Sequence, residues 1–158
     1  MKITSAHQPA FMPWIGLIHK VFLSDVFIFM DIAKFRKRAF MHRNRIEIND
    51  AAHFIGLKVN DQSDFKLCNE IHISKHNQLD LKKMKDKILF SYKKSEYLDD
   101  LKDFLENSYN DNSNNLNEIC LSQLYFLCKK LEIKTQILKE SDIMLSLIHI
   151  SEPTRQSL

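Results

Sequence analysis

Hydrophobic and polar positions follow two different periods in the first 31 residues. Residues 2–6, KITSA, alternate and predict a strand. Proline is favoured in the first turn of a helix, and apolar residues recur at helical spacing after Pro13. That apolar stripe consists of Trp14, Leu17, Ile18, Val21 and Phe22. Residues 26–31, VFIFMD, are almost entirely apolar, as in a strand covered on both faces, so the opening predicts a right-handed βαβ unit with parallel strands.

The next segment predicts a hairpin. Two runs, RAFMHRNRIEIND and HFIGLKVN, have the composition of strands, and the turn is expected around Asn49 and Asp50. A third run, KLCNEIHIS at residues 66–74, also has the pattern of a strand.

Three helices and a last strand complete the predicted fold. The helices are expected over residues 78–92, over residues 96–109 and from residue 115 to about residue 131. Asn115 followed by Glu118 is the capping signature of the third helix. KTQIL, residues 134–138, predicts the last strand. Since strands and helices interleave, the expected class is α/β, with a single domain over residues 1–144.

The C-terminal segment departs from this pattern. LSLIHISEPTR, residues 145–155, has neither a turn pattern nor a helix pattern. It resembles the conceptual translation of a transposon-type sequencing adapter. We therefore expect residues 145–158 to be a non-native tail and the natural sequence to be cut off near Met144.

Composition and charge narrow the function. The hydrophobic fraction is 44% and the charged fraction 27%, as in ordinary globular proteins. No apolar run approaches the roughly 20 residues that cross a bilayer, and no secretory signal follows Lys2, so we expect a cytoplasmic protein with no membrane partner. The three cysteines are widely spaced, which favours reduced thiols. The net charge of +3 is too small to indicate nucleic-acid binding by itself.

The stretch SAHQPAFMPWIGLIHK holds the first candidate site. Ligands of βαβ units bind at the carboxyl ends of the strands, beside a helix N-terminus that attracts anions. His7 can transfer a proton there, and Gln8 can hydrogen-bond a ligand; the alternative for His7 is a capping or core role. Trp14 belongs to the apolar stripe, which favours a core position over a stacking wall. With two glycines in the chain, neither a Walker loop nor a GxGxxG motif is present, and no Cys-His set has zinc spacing, so no cofactor or metal is expected.

A basic stretch, KFRKRAFMHRNRI, follows the second predicted strand. Asp31 ends that strand and can face the same crevice as His7. Alternation along a strand points Arg43 and Arg45 the same way and Asn44 the other way. Two guanidinium groups on one face suit a phosphate or a carboxylate. A solvated edge strand and a nucleic-acid surface are the alternatives.

These motifs together resemble the WbqC-like family of bacteria. The resemblance covers residues 2–144 and is strongest up to Ile46, and a Lys75-His76 pair matches as well. The matching positions are His7, Gln8, Pro9, Phe11, Pro13, Trp14, Gly16, Lys20, Ser24, Asp25, Asp31, Phe35, Arg43, Asn44, Arg45 and Ile46. The family is associated with O-antigen and other surface-polysaccharide gene clusters. The resemblance implies transfer of an aminoacyl group, such as glycine, to the amino group of a nucleotide-linked amino sugar.

The first hypothesis is an enzyme whose residues have the following roles. His7 is expected to transfer the proton, and Asp31 to orient His7 or the substrate amine. The substrate-binding residues are expected to be Gln8, Trp14, Lys20, Arg43, Asn44 and Arg45. Family members continue past the matched region, so part of the active site is expected to be missing. The alternatives are a non-catalytic module that binds a phosphorylated ligand or a partner protein, and a nucleotidyltransferase-like enzyme, although Pro9 and Ala10 replace the Gly and His of the His-x-Gly-His signature.

Overall fold

The computed structural model describes residues 2–59, 66–73, 78–108 and 114–151. These residues form an α/β fold, as expected. Its strands are β1 (Thr4–His7), β2 (Val26–Phe29), β3 (Arg43–Ile48), β4 (Ala51–Gly56) and β5 (Gln136–Lys139). Its α-helices are α1 (Ile15–Phe22), α2 (Gln78–Ser91), α3 (Leu98–Asn107), α4 (Leu116–Lys130) and α5 (Glu140–Ser151).

A parallel sheet in the order β1-β2-β5 contains the predicted βαβ unit and the predicted last strand. The three strands end level with one another, because His7 pairs with Phe29 and Phe29 pairs with Lys139. The carboxyl ends of the three strands therefore form one edge of the sheet. His7 lies at one end of this edge, and α5 begins at the other end, directly after β5. The buried face of α1 consists of Leu17, Ile18 and Val21.

Strands β3 and β4 form the predicted antiparallel hairpin. Asn49 and Asp50 both have positive φ, at 50° and 60°. A two-residue turn with positive φ at both positions matches the twist of a hairpin, and Asn and Asp tolerate that conformation. Ile46 and Ile55 point inward from this hairpin into the core.

The third predicted strand is wrong. Cys68–Glu70 form a 3₁₀ turn instead, and only isolated bridges involve the residues on either side of it. The Glu70 carboxylate accepts a hydrogen bond from the Leu67 N–H (2.8 Å), which closes the turn. Cys68 and Ile71 are both fully buried. Their spacing of three residues is that of a 3₁₀ turn and not of a strand.

The three predicted helices are confirmed. Met84 and Ile88 of α2 and Phe104 and Leu105 of α3 are buried, as their spacing predicted. The Asn115 side chain accepts hydrogen bonds from the N–H groups of residues 117 and 118, so it caps α4 as expected. These helices and the sheet share one hydrophobic core.

The C-terminal segment differs from its expected secondary structure. Helix α5 continues to Ser151, so the expectation that residues 145–151 lack a helical pattern is wrong. Asp31 accepts a hydrogen bond from the Ser141 N–H in the first turn of this helix. Because nucleation is the costly step, a helix that has begun extends at low cost. Met144 and Leu145 are about half exposed. The adapter interpretation of the tail stays a prediction, and residues 152–158, like Lys75-His76, lie outside the described residues.

Candidate functional site

His7 stands at the carboxyl edge of the parallel sheet. Its Nδ1 lies 2.7 Å from the Gln8 carbonyl oxygen. A carbonyl only accepts hydrogen bonds, so Nδ1 carries the proton and Nε2 is left to accept one. This tautomer suits a general base acting through Nε2. The side chain is partly buried, so a ligand at the edge can reach it.

Trp14 packs against His7 and is not a core residue, so the expectation of a core tryptophan is wrong. Helix α1 begins at Ile15, and the Trp14 carbonyl receives the first helical hydrogen bonds. The indole is 41% exposed and lies between the rings of His7 (5.5 Å) and Phe40 (6.1 Å). A methyl group on Gly16 would lie 3.2 Å from the indole Nε1, so the lack of a side chain at Gly16 leaves room for the ring. The position is that of an aromatic wall beside His7.

The loop between β1 and α1 is held from three sides. Met12 has φ of 48°, a conformation that costs a residue with a side chain about 1 kcal/mol. Asn44 Nδ2 donates to the carbonyls of Phe11 (3.2 Å) and Met12 (2.6 Å). The Met12 N–H donates to Oε1 of the fully buried Gln123 (2.7 Å), and the Phe11 N–H donates to the Phe40 carbonyl (3.0 Å). The loop that carries Trp14 to His7 is therefore rigidly positioned.

Asp31 is buried and caps a helix. Its Oδ1 accepts from the Ser141 N–H (2.9 Å) and its Oδ2 from the Ser141 hydroxyl (2.5 Å). A carboxylate at the first turn of α5 also interacts favourably with the helix dipole. The Asp31 carbonyl accepts a further hydrogen bond from Asn117 (2.7 Å). These contacts are structural, and the expected role of Asp31 toward His7 or a substrate amine stays a prediction.

Gln8 and Lys20 lie close to the same edge. The partly buried Gln8 offers its carbonyl to His7. Lys20 Nζ donates to the carbonyl of Ala6 (2.7 Å), which ties α1 to β1. The described contact of Lys20 is thus with the protein backbone, and its substrate-binding role stays a prediction.

Arg43 and Arg45 point to the same side of β3, as strand alternation predicted. Their guanidinium carbons lie 4.6 and 4.8 Å from the centre of the Phe54 ring on β4. Arg43 Nη2 also donates to the Arg38 carbonyl (2.8 Å). Asn44, between them, points the other way and contacts the loop next to His7. The strand therefore presents the Asn44 amide to the loop between β1 and α1 and its two arginines to the opposite face. The arginines were expected to converge with His7, and these contacts do not bring them together.

The fixed spacings of the first 46 residues are thus placed around one sheet edge and one hairpin. The family model of the WbqC-like protein family matches residues 8–152. The chain belongs to the WbqC-like protein family. No curated protein and no solved structure matches it. The matched region of this WbqC-like protein begins directly after His7 and includes the loop between β1 and α1, the hairpin and all of α5.

Two further cationic surfaces are present; the first belongs to the basic stretch noted in the sequence, and the second was not predicted. Lys34, Arg36, Lys37 and Arg38 line a concave surface of about 660 Å³. A second groove, of about 270 Å³, lies between β4 and α2 and includes Phe54, Lys83 and Lys87. The signal for the second was the spacing of Lys83 and Lys87, four residues apart on one helix face. The groove itself could not be predicted, because it forms only where α2 packs beside the hairpin.

Other chemistry is limited in the part of the chain that the structure describes. No helix there is long and apolar enough to cross a membrane. No three His, Cys, Asp or Glu residues there form a group that could hold a metal ion. Burial raises the pKa of the Cys68 thiol to about 12 and also raises the pKa of Cys120 and of Cys128. A thiol with a raised pKa is a poor nucleophile at neutral pH.

Proposed function

We propose that this protein is a transferase of bacterial surface-polysaccharide (O-antigen) synthesis, acting on a nucleotide-linked amino sugar. The reaction is transfer of an aminoacyl group, such as glycine, to the sugar amine. An amide bond forms between the acyl carbon and the amine nitrogen, and the activating group of the acyl donor leaves. Membership of the WbqC-like family supports the class of reaction.

The observation that carries the proposal is the paired arrangement of Arg43 and Arg45. The two guanidinium carbons lie within 5 Å of the centre of one aromatic ring, on the same side of β3. Guanidinium groups bind phosphate oxygens in bidentate fashion, so the pair suits the phosphates of a sugar nucleotide. Phe54 supports both groups by cation–π contact.

His7 is the proposed proton acceptor. The amine must lose a proton when it attacks the acyl carbon, and His7 Nε2 is free to accept it because Nδ1 donates to the Gln8 carbonyl. Trp14 forms a wall beside the ring, and Gln8 is proposed to position the substrate. The loop contacts made by Asn44 keep the aromatic wall in place.

The experiment is a transfer assay with the full chain. The protein is incubated with a nucleotide-linked amino sugar and an activated glycine donor, and the glycylated sugar nucleotide is detected by mass spectrometry. His7→Gln should lower kcat by at least about a hundredfold, because a general base contributes that much or more. His19→Gln is the matched control, since His19 is an exposed histidine on α1. Unchanged turnover in His7→Gln would show that His7 is not the base.

A non-catalytic binding module is the second candidate. The observation that favours it is that both Asp31 oxygens accept hydrogen bonds from Ser141. The carboxylate that was expected to orient His7 or the substrate amine is therefore already engaged. Under this alternative, the protein binds the sugar nucleotide and gives no product with any activated donor. Binding that survives His7→Gln, without turnover in the parent protein, would support the module.

A further inference from the structure

The groove between β4 and α2 combines cations with an apolar floor. Its volume is about 270 Å³. The apolar lining comes from Ile55, Leu57, Leu81 and Met84. Its cationic lining comes from Lys58, Lys83 and Lys87, and its aromatic lining is Phe54. Small-molecule sites have this character, a mostly apolar concavity with a few polar groups.

Phe54 connects this groove to the arginine pair. The ring is 49% exposed, although it is a large hydrophobic group on a strand. It lines the groove and at the same time supports the guanidinium groups of Arg43 and Arg45. Arg43 and Arg45 do not line the groove themselves; they reach it only through their contact with the Phe54 ring.

Lys83 and Lys87 supply charge from the opposite wall. They lie four residues apart on α2, where two like charges destabilise a helix by about 0.2–0.5 kcal/mol. Both are exposed, and neither forms an ion pair with a described residue. None of the acids that the structure describes lines the groove. The two lysines thus line a concavity in which they have no ion-pair partner among the described residues, and they can contact an anion there.

We propose that this groove binds the diphosphate group of a nucleotide. The diphosphate lies between the arginines of β3 and the lysines of α2, and the nucleoside contacts the apolar floor. Several cations converging from two walls suit a ligand with more than one phosphate, since each phosphate oxygen can take a charge-assisted hydrogen bond. The inference deepens the proposed function by locating its nucleotide, and it rests on that function only for the attached sugar.

The test measures binding by titration calorimetry with the full chain. The probes are UDP, UMP, inorganic pyrophosphate and a single-stranded oligonucleotide of about ten nucleotides. The variant K83Q/K87Q removes the two lysines that α2 contributes to the groove and keeps Lys58. The matched control K82Q/K94Q removes the same charge from exposed lysines that do not line it. Thermal melts of both variants should match the parent, because all four side chains are exposed.

UDP should bind more tightly than UMP, and pyrophosphate should compete with it. K83Q/K87Q should raise the Kd for UDP at least about tenfold, since each lost charge-assisted bond has about that effect. K82Q/K94Q should change it by less than about twofold, because those charges are screened from the site. Phe54→Leu should also weaken binding, because the guanidinium groups lose the ring that supports them.

Three results would overturn the inference. Equal weakening in the two double variants would assign the effect to net charge. Unchanged UDP binding in K83Q/K87Q would place the nucleotide elsewhere. Tighter binding of the oligonucleotide than of UDP, also lost in K83Q/K87Q, would make the groove a nucleic-acid site.

The failure of the inference is distinguishable from that of the proposed function. Glycine transfer with normal UDP binding in K83Q/K87Q would leave the transferase in place and refute the groove. UDP binding that depends on Lys83 and Lys87, without any transfer by the parent protein, would support the groove and refute the transferase.

Discussion

The contact between Asp31 and Ser141 should be a main stabilising link between β2 and α5. The Asp31 side chain is only 6% exposed, and its two oxygens accept hydrogen bonds from the backbone and the hydroxyl of one residue. Replacement by alanine leaves both donors without this acceptor and removes the negative charge from the first turn of the helix. The perturbation is therefore Asp31→Ala, with Ser141→Ala as its partner in a double-mutant cycle.

The magnitude follows from these two hydrogen bonds. A hydrogen bond to a charged group contributes about 1.5–3 kcal/mol, and a helix cap contributes about 0.5–2 kcal/mol, counted partly in the same bonds. Asp31→Ala should lower the free energy of unfolding by about 3 kcal/mol. Ser141→Ala removes only the hydroxyl bond and should cost about 1 kcal/mol. In a chain of this length, 1 kcal/mol corresponds to about 2–4 °C in Tm, so Asp31→Ala should lower Tm by about 6–12 °C.

The assay is urea unfolding followed by the fluorescence of the single tryptophan. The double variant should lose about 1 kcal/mol less than the sum of the single losses, because the two residues share one interaction. Asp142→Asn is the control, since Asp142 is an exposed acid in the same helical turn and should change stability by less than about 0.5 kcal/mol. Strictly additive losses would refute the hydrogen bond between Asp31 and the Ser141 hydroxyl, and a loss in Asp31→Ala no larger than that in Asp142→Asn would refute the capping role. A stable Asp31→Ala protein without transferase activity would assign Asp31 to catalysis instead.

Two further predictions concern the hairpin and the thiols. Gly56→Ala should lower the free energy of unfolding in urea by at least about 2 kcal/mol, because the added methyl group would lie 2.6 Å from the Arg43 Cβ. The control Gly16→Ala should cost less, since its methyl group would meet only the indole of Trp14. Equal losses in the two variants would contradict the clash. Burial raises the pKa of the Cys68 thiol from its ordinary 9.0 to about 12, so its contribution to stability is fully present below pH 9 and is lost as pH rises to about 12. A thiol reagent at pH 8 should label the three cysteines rapidly only in denaturant, and rapid labelling of the native protein would contradict their burial.

The α/β order could be predicted because each element has a clear local period. The apolar run of β2 and the stripe of α1 predicted the parallel pair, and the Asn49-Asp50 dipeptide predicted the turn of the hairpin. The 3₁₀ turn at Cys68–Glu70 was mistaken for a strand because a short mixed run satisfies both periods. Its identity depends on the Glu70 carboxylate, which closes the turn.

The remaining errors come from contacts between distant segments. Helix α5 is capped by a residue 110 positions earlier in the chain, so no local signal marks its beginning. Trp14 belongs to the apolar stripe by spacing, but its indole lies outside the core, where it packs between the rings of His7 and Phe40. Both outcomes depend on tertiary packing, which propensity and periodicity do not contain.

The two faces of β3 explain why the candidate site was only partly predictable. Alternation correctly separated Asn44 from Arg43 and Arg45, but it could not say which face meets the loop beside His7. The Asn44 amide faces the loop, because its Nδ2 donates to two loop carbonyls at once. The Arg43 guanidinium packs on the Phe54 ring instead. One strand therefore positions the wall of the proposed base with one face and the proposed phosphate ligands with the other. A substitution on β3 that shifts the strand should affect both nucleotide binding and the environment of Trp14, although the two lie on opposite sides of the hairpin.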